Sequence, residues 1–244
     1  MVRLIDNKNE LEFLPADPYA ARITALAETY GTERSFAMFW VQSAEEKSVA
    51  AVCRVDGNIT VCCDDGTDYE ELSAFIMAVG FSSLTSDAVV MEKLGFEPSE
   101  SSFTVEYKGG ASIGNAEKVC DCDKRKIYDL LCCCGFELGN YNAFLADICA
   151  RLNKGTASFA AVMRENEPCA CAFALFKGKK SVLLGAVATN ENSRGKGYAS
   201  ELVGTLAEEN SDKKVYLFCR NDSLTEFYGR FGFEICGRWA VAKN

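Results

Sequence analysis

The segment from Ser181 to Glu209 limits the fold of this chain most, because a buried strand, a glycine loop and an amphipathic helix follow one another there without a break. The strand is the apolar run Ser181 to Thr189, and the loop follows as RGKGYA at Arg194–Ala199. The helix then carries apolar side chains on one face, namely Ala199, Leu202, Val203 and Leu206. A strand that leads through a short loop into an amphipathic helix is typical of a layered α/β domain.

The loop at Arg194–Ala199 has the properties of an anion-binding site. Glycines at positions 195 and 197 let the backbone approach a ligand closely. A helix that begins there presents unpaired N–H groups and the positive end of its dipole, which favour phosphate. Arg194 and Lys196 add positive charge beside those amides. The loop matches neither common nucleotide-binding signature, and a simple turn that caps the helix is the structural alternative.

Apolar periodicity along the rest of the chain predicts a mixed α/β (α+β) fold. We expect helices near residues 18–30, 68–79, 87–94, 124–134, 141–153, 197–209 and 222–231. We expect strands at residues 35–42, 157–164, 169–177, 181–189, 214–219 and 234–242, with a hairpin over 48–63 that turns at Asp56-Gly57-Asn58. The predicted central sheet is therefore mixed, mostly antiparallel and flanked by helices.

Two similar segments suggest that the chain is a diverged tandem repeat. Residues 91–108 and 228–243 both read as a helix end, a glycine turn and a strand, with Gly95-Phe96-Glu97 matching Gly232-Phe233-Glu234. Between the two patterned regions lies a small, polar, glycine-bearing stretch. We therefore predict a first domain at residues 1–110, a linker at 111–122 and a second domain at 123–244.

The charged residues and the missing histidine restrict both the chemistry and the partners. The chain has no histidine, which excludes Ser-His-Asp and Cys-His nucleophile systems and every histidine-dependent metal site. The net charge is −9, but residues 1–122 carry 9 basic and 21 acidic residues whereas residues 123–244 carry 17 and 14. The acidic first half argues against nucleic acid, and the mildly basic second half suits a phosphate-bearing ligand. An acidic surface that merely aids solubility is the alternative for the first half.

The remaining compositional features argue for a cytoplasmic protein without a membrane segment. No apolar run approaches the length of a membrane-spanning helix, and the first residues, MVRLIDNKNELEFL, show no secretory signal. The 13 cysteines should therefore be reduced thiols, most of them small buried apolar residues. A zinc cluster of Cys120, Cys122 and the triplet at 132–134 is the alternative, but paired C-x2-C knuckles are missing. We predict no metal.

The second half resembles the GNAT superfamily of N-acetyltransferases, whose acyl-CoA loop reads Q/R-x-x-G-x-G/A between the fourth strand and a helix. Arg194–Ala199 satisfies every fixed position of that loop. Downstream, VYLFC at 215–219, then Asn221, Phe227-Tyr228 and Phe231-Gly232-Phe233 are similar to the family's fifth strand, its helix and its Y-x-x-x-G-F ending. The first half resembles a degenerate copy, because DDGTDYEEL follows Cys63 where the basic glycine loop would stand.

The resemblance implies a site for acetyl-CoA as co-substrate in the second domain. The backbone of Val187, Ala188 and Thr189 would pair with the pantetheine arm. The pyrophosphate would lie on the loop formed by Arg194, Gly195, Lys196, Gly197, Tyr198 and Ala199. Tyr228 matches the tyrosine that protonates the departing thiolate in many members, although its helical spacing also fits a core residue. Asn221 either contacts CoA or caps the helix that begins beside it.

The resemblance does not supply a general base. Some members carry a glutamate on the fourth strand, but Ser181–Thr189 contains no carboxylate. The proton of the amine would then leave through water, a backbone carbonyl or a carboxylate of another element. The four candidate carboxylates are Glu165, Glu167, Glu191 and Asp222.

The expected function is an N-acetyltransferase that moves acetyl to a primary amine of a small molecule or peptide by direct attack in a ternary complex. The acidic first half would favour a cationic amine by electrostatic steering. A non-catalytic acyl-CoA-binding regulatory module is the alternative, supported by the missing carboxylate. An interaction protein built from two degenerate copies and a redox or metal protein are the remaining classes.

Overall fold

The computed structural model describes residues 1–110, the backbone of 118–119, and residues 122–244. Its helices are α1 Pro18–Tyr30, α2 Tyr69–Val79, α3 Ala88–Lys93, α4 Lys124–Cys133, α5 Tyr141–Asn153, α6 Tyr198–Glu208 and α7 Asp222–Gly229. Its strands are β1 Val2–Leu4, β2 Ala37–Ala44, β3 Lys47–Val55, β4 Asn58–Cys63, β5 Ser83–Asp87, β6 Glu100–Tyr107, β7 Lys118–Val119, β8 Ser158–Arg164, β9 Glu167–Lys177, β10 Ser181–Thr189, β11 Lys214–Phe218 and β12 Phe233–Lys243. Short 3-10 turns lie at Lys8–Leu11 and Glu191–Ser193.

Local sequence explains where most of these elements begin and turn. Asp17 caps α1, with Pro18 at the first helical position, and Gly31 ends the helix at a positive φ of 71°. The hairpin between β3 and β4 turns at Asp56 and Gly57, whose φ values are 47° and 80°. Two consecutive positive φ values match the right-handed twist of the flanking strands, so this tight turn fixes the register of the hairpin.

All strands of the described chain lie in one 12-stranded sheet, in the order β1-β2-β3-β4-β5-β12-β6-β11-β10-β9-β8-β7. The pairing is antiparallel except for two pairs, β4 with β5 and β10 with β11. In each half a helix, α2 or α6, connects the two parallel strands. The predicted mixed, mostly antiparallel sheet is thus confirmed.

The two halves of the chain exchange their last strands. By element order β6 closes the first half and β12 closes the second. In the sheet, however, β12 pairs with β5 of the first half, whereas β6 pairs with β11 of the second half. The two exchanged strands also pair with each other, from Phe233 opposite Tyr107 to Val241 opposite Glu100. The halves therefore share one continuous sheet, and neither holds its own complete set of neighbouring strands.

Helices cover both faces of the sheet, and α1 lies at the centre of one face. Its buried side chains pack on the first half through Ile23 and on the second half through Ala21, which contacts Leu183 and Tyr216. The α4 and α5 helices pack over β8 and β9 around Phe159 and Phe173. The opposite face is covered by α2 and α3 in the first half and by α6 and α7 in the second.

The predicted elements agree with the structure in kind, but the strands β1, β5 and β7 were not predicted. The strand β5 gives little apolar signal, because Leu84 is the one apolar residue of Ser83–Asp87. Most of the predicted linker lies outside the described residues, except that Lys118–Val119 pairs with β8. The division into domains 1–110 and 123–244 stays a prediction, and the sheet continues across that boundary.

No helix of the described chain is long and apolar enough to cross a membrane.

The cysteines only partly follow the prediction that they are buried apolar residues. Five are buried, namely Cys53, Cys62, Cys169, Cys171 and Cys219. Three are exposed, namely Cys132, Cys133 and Cys236, which the prediction of burial did not anticipate. Cys120, a member of the alternative zinc cluster, lies outside the described residues. Within the described part of the chain no three cysteines or carboxylates are grouped closely enough to hold a metal ion.

Candidate functional site

The parallel strands β10 and β11 pair at one end and then separate. Their register runs from Ser181 opposite Lys214 to Leu184 opposite Leu217, and no later pair is formed. Beyond Leu184 the pairing of β10 with β9 shifts between Gly185 and Ala188, and Ala186 has a positive φ of 47°. This bulge bends β10 away from β11. The edge of β10 that faces β11 therefore has no strand partner at Val187, which leaves hydrogen-bonding groups for an extended ligand.

A groove of about 490 Å³ opens where the two strands separate. Its walls bring together nearly all of the predicted cofactor residues, namely Val187, Ala188, Thr189, Arg194, Gly195, Lys196, Gly197, Tyr198 and Ala199. The opposite wall is apolar and comes from the α7 region, with Leu224, Phe227, Tyr228 and Phe231. A polar loop and an apolar wall along one groove suit a ligand that has a phosphate at one end and a less polar arm.

The glycine loop at the start of α6 presents an open helix terminus. Gly195 and Gly197 have positive φ values of 76° and 82°. Gly197 occupies the N-cap position, so no N-cap side chain accepts a hydrogen bond from the first turn of α6. The first backbone N–H groups of α6 are therefore available to an anion, which the helix dipole favours. Sequence reasoning predicted this feature from the spacing of the two glycines.

The two cations of the loop have no carboxylate partner within the described residues. The guanidinium of Arg194 donates to the carbonyl of Thr189 at 3.4 Å, and the ammonium of Lys196 donates to the carbonyl of Asn192 at 3.2 Å. Both contacts are with neutral groups, so both side chains keep their charge for a ligand. Tyr198, the next residue of the loop, is held by Arg164. The guanidinium of Arg164 lies over the ring of Tyr198 at 5.6 Å and donates to its phenol oxygen at 3.2 Å.

Tyr228 lies on α7 and lines the groove. Its side chain is only 4% exposed, and its ring contacts Phe227 and Phe233 edge to face. Burial raises the pKa of its phenol well above the ordinary value, and the nearby Cys219 thiol acts in the same direction. The phenol is therefore protonated across the physiological pH range. Tyr228 therefore belongs to the core and also lines the groove, and its role as a general acid stays a prediction.

A second cavity of about 370 Å³ meets the groove at Tyr228. The two share five lining residues, namely Cys134, Phe136, Val187, Leu224 and Tyr228. The rest of the second cavity is mostly apolar, with Leu175, Leu217 and Phe218, and Arg220 is its one charged lining residue. A molecule in this second cavity and a ligand in the groove would thus meet beside the phenol of Tyr228.

No carboxylate lines either cavity within the described residues. Glu165 lies in the β8–β9 turn with a φ of 51°, and Glu167 forms an ion pair with Lys126 at 2.8 Å. Glu191 belongs to the 3-10 turn before the glycine loop, and Asp222 lies in the first turn of α7. The structure thus places all four candidate bases outside the site.

Two further placements were not settled by the sequence. The side chain of Asn221 accepts a hydrogen bond from the backbone N–H of Leu224 at 3.0 Å and so caps α7; it does not line the groove. Cys134 and Phe136, which line both cavities, were not predicted. They lie on either side of Gly135, just after α4. The glycine is the signal of a turn in the sequence, and in the structure its φ is 87°.

The corresponding place in the first half lacks an anion site. Strands β4 and β5 also pair only briefly, from Asn58 to Thr60, before they separate. The helix that follows, α2, is capped by the Asp68 carboxylate and carries two glutamates in its first turn. Negative side chains thus already occupy the N-terminus of α2, so a phosphate would be repelled there.

Comparisons with known proteins agree with this geometry. Residues 124–233 match the model of the Acetyltransferase (GNAT) family. A tandem GNAT protein from the clavulanic acid biosynthesis pathway has a similar structure, with a TM-score of 0.61, 10% identity and coverage of 99% of this chain and 97% of that one. A GCN5-related N-acetyltransferase from Sphaerobacter thermophilus gives a TM-score of 0.59 at 14% identity, covering 100% and 95% of the two chains.

A GNAT-family acetyltransferase from Colwellia psychrerythraea gives a TM-score of 0.57 at 11% identity, covering 100% of this chain and 99% of that one. No curated protein matches the sequence. At these identities the likenesses show the fold, which is that of GNAT proteins and includes the tandem arrangement.

Proposed function

We propose that this chain, whose residues 124–233 form a GNAT acetyltransferase domain, transfers acetyl from acetyl-CoA to a primary amine of a small molecule or peptide. The family assignment supports acyl transfer from an acyl-CoA in general. The single observation that carries the proposal is the groove in which the glycine loop, the open end of α6 and the free edge of β10 lie together.

The residues of the groove fit the parts of an acyl-CoA. The N–H groups from Gly195 to Ala199, with Arg194 and Lys196, would hold the pyrophosphate. The backbone of Val187, Ala188 and Thr189 would pair with the amides of the pantetheine arm as a neighbouring strand would. Such pairing would direct the thioester toward the junction of the two cavities at Tyr228.

Tyr228 would act as the general acid at that junction. As the amine nitrogen bonds to the acetyl carbonyl carbon, the carbon–sulfur bond breaks and the thiolate takes the phenolic proton. Burial favours the protonated phenol, which is the form that this step requires. The amine must lose its own proton, and because no described carboxylate lines either cavity, water would accept it.

The acceptor amine would occupy the second cavity. The apolar walls of this cavity suit an amine attached to an apolar group, and Arg220 suits an acceptor that also carries an anionic or polar substituent. This lining does not itself attract a cation. The steering of cationic amines proposed from the acidic first half would act during the approach from solution.

One observation favours a second candidate function. Because no described carboxylate lines the two cavities, the chain would also suit a non-catalytic acyl-CoA-binding regulatory module. Incubation of the full chain with acetyl-CoA and a panel of primary amines, followed by mass spectrometry of the products, tests the two. Acetylated amine and free CoA in equal amounts support the enzyme, whereas bound acetyl-CoA without any acetylated product supports the regulatory module.

A further inference from the structure

A third cavity, of about 260 Å³, lies beside α1 where the two halves of the chain meet. The first half contributes Lys8 from a 3-10 turn and Glu28 from α1. The second half contributes four lysines from three separate connections, namely Lys154 after α5, Lys177 and Lys179 around the β9–β10 turn, and Lys213 before β11. We call this the lysine cavity, because five lysines and one carboxylate line it.

The lysine cavity is separate from the proposed transferase site. It shares no lining residue with the groove or with the second cavity. The β9–β10 turn lies at the N-terminal end of β10, before Ser181, whereas the groove begins at Val187. At about 3.3 Å per strand residue, the two sites lie roughly 20 Å apart along β10. A ligand in the lysine cavity would therefore leave the transferase site open.

Contacts between the halves fix the walls of the lysine cavity. Gly178 in the β9–β10 turn packs so closely on α1 that an added Cβ would lie 2.7 Å from the Cα of Ala21. The hydroxyl groups of Thr29 and Thr156 form a hydrogen bond of 2.6 Å across the same junction. The backbone N–H of Lys177 donates to the carbonyl of Thr156 at 2.8 Å. The backbone segments that carry the lysines are thus held in place around one space.

Only two of the five lysines have a carboxylate partner within the described residues. Lys8 forms an ion pair with Glu28 at 2.6 Å. Lys179 forms an ion pair with Glu12 at 2.8 Å, and Glu12 does not line the cavity. These two lysines are therefore neutralised, and the remaining charge of the cavity comes from the other three.

The other three lysines keep a charge that no described carboxylate offsets. The ammonium of Lys213 donates to a neutral group, the carbonyl of Gly178, at 3.0 Å. Lys154 and Lys177 form no side-chain hydrogen bond or ion pair with a described residue. Lys154 occupies the C-cap of α5, where a lysine can bond to the last carbonyls of the helix, but it makes no such bond. Capping of α5 therefore does not account for Lys154.

Three ammonium groups around one concave space attract anions. Like charges repel one another, so their repulsion opposes the compact arrangement of the empty cavity. A cleft lined by one sign of charge also concentrates ions of the opposite sign. The chain as a whole carries a net charge of −9, so the lysine cavity differs in sign from the protein that surrounds it. An anion between the lysines would offset the repulsion and accept charge-assisted hydrogen bonds.

We propose that the lysine cavity binds a compact ligand that carries a chain of phosphate groups. Three separate cations match an anion with several charges better than a single carboxylate, and lysine binds phosphate as a point charge. The cavity is smaller than the pockets of about 300–1,000 Å³ that hold drug-sized molecules. A short phosphate chain would therefore fill it without a further group. The ligand would contact both halves, since α1 and the β9–β10 turn both line the cavity.

Calorimetric titration with inorganic tripolyphosphate tests the proposal. Because the glycine loop of the transferase site would also attract this probe, the full chain carries Arg194→Gln and Lys196→Gln, which remove the two cations of that loop. We expect a dissociation constant in the micromolar range, about −7 to −8 kcal/mol, which weakens at least about tenfold between about 0.05 M and 0.5 M salt. No binding at millimolar tripolyphosphate would overturn the proposal.

A pair of substitutions in the same background locates the bound anion. Lys154→Gln with Lys177→Gln removes two charges from the cavity and should weaken tripolyphosphate binding about tenfold or more. Lys47→Gln with Lys93→Gln is the matched control, because it changes the net charge equally and both lysines lie outside the cavity. Equal weakening by the two pairs, or unaltered affinity in the cavity pair, would contradict the proposed site.

Chemical labelling tests the same site without any substitution. The lysines of the original chain are modified with an amine-reactive ester, with and without tripolyphosphate, and the modified positions are identified by mass spectrometry. We expect the probe to protect Lys154 and Lys177 and to leave Lys47 equally reactive. Labelling of Lys154 and Lys177 that tripolyphosphate does not change would place the anion elsewhere.

A titration with adenosine triphosphate distinguishes a nucleotide from an inorganic phosphate chain. Affinity similar to that of tripolyphosphate would show that the phosphate chain alone is recognised, and much weaker binding would show that only an inorganic chain enters. Both results support a compact ligand. Adenosine triphosphate that binds more than about tenfold more tightly would contradict it, because contacts with the nucleoside would then contribute more than about 1.4 kcal/mol.

Discussion

The indole N–H of Trp239 donates a hydrogen bond of 2.8 Å to the backbone carbonyl of Cys219. Trp239 lies on β12, where it pairs with Asp87 of the first half, and Cys219 directly follows β11 of the second half. The bond therefore spans β6, the strand that the first half places between them. It connects β12 to the end of β11, which borders the second cavity of the proposed site.

The Trp239 hydrogen bond should be visible in the free energy of unfolding. Trp239→Phe removes the donor and leaves the buried carbonyl of Cys219 unpaired. Trp40→Phe removes similar ring volume from an indole that donates no such bond to a described residue. Both tryptophans are 6% exposed. We expect Trp239→Phe to cost about 1–2 kcal/mol more than Trp40→Phe in a denaturant titration. Equal costs would mean that the bond adds no stability.

Gly232 should be intolerant of any side chain. Its φ is +83°, and a Cβ there would lie 2.1 Å from the backbone oxygen of Gly109, next to the strand exchange. Gly95 occupies the matching place in the first half with a φ of +76° but has nothing within 4 Å of an added Cβ. We expect Gly232→Ala to destabilise the chain by about 3 kcal/mol or more and Gly95→Ala by about 1 kcal/mol, measured by thermal unfolding. Similar losses would indicate that backbone strain alone matters at both positions.

Gly197→Val should abolish acetyl-CoA binding while the fold persists. A branched side chain disfavours the φ of +82° that opens the N-terminus of α6, although an added Cβ would meet only Ser200 Oγ, at 4.0 Å. Gly80→Val is the matched control, since Gly80 has a similar φ of +72° and similar free space for a Cβ. It lies at the C-terminal end of α2, outside the groove. Calorimetry with both variants separates loop geometry from general strain, and unaltered affinity in Gly197→Val would contradict the loop assignment.

Tyr228→Phe should slow turnover about 100-fold or more and change acetyl-CoA affinity little, because only the proton donor is lost. The ring contacts with Phe227 and Phe233 remain available to phenylalanine. Steady-state kinetics and calorimetry on the same preparation give both values. A turnover rate equal to that of the unmodified chain would mean that Tyr228 has a purely structural role.

The pH profile offers an independent check on Tyr228. Burial raises the pKa of its phenol above the ordinary value of about 10, so the acid form persists as the pH rises through that value. We therefore expect turnover of an amine that is already neutral to show no fall between about pH 8 and pH 10. A decline in that interval, at constant protein stability, would show that a group with a lower pKa supplies the proton.

Local sequence signals predicted much of this fold because they act over a few residues. Asp17 and Pro18 set the start of α1, and the apolar run Ser181–Thr189 became β10 with the same bounds. The exchange of β6 and β12 was not predicted, because an alternating pattern shows which face of a strand is buried but not which strand lies beside it. The missed strand β5 was too polar and too short to give a pattern.

The candidate site was likewise predictable from the sequence only in part. The glycine loop was predictable because Gly195 and Gly197 each need a positive φ at a fixed distance from the helix. The second cavity was not, since Cys134 and Phe136 reach it only through the packing of the segment after α4 against β10. A cavity of about 350 Å³ between the two halves was not predictable either, because it depends on the strand exchange that brings Asp87 and Gly237 together.

The most direct test of the central claim is calorimetric titration of the full chain with acetyl-CoA, with desulfo-CoA and ADP as comparison ligands. The groove predicts a dissociation constant in the micromolar range for acetyl-CoA, about −8 kcal/mol, with desulfo-CoA close to it and ADP weaker because ADP lacks the pantetheine arm. No binding of acetyl-CoA or desulfo-CoA would contradict the account, since the open end of α6 and the free edge of β10 would then hold no acyl-CoA.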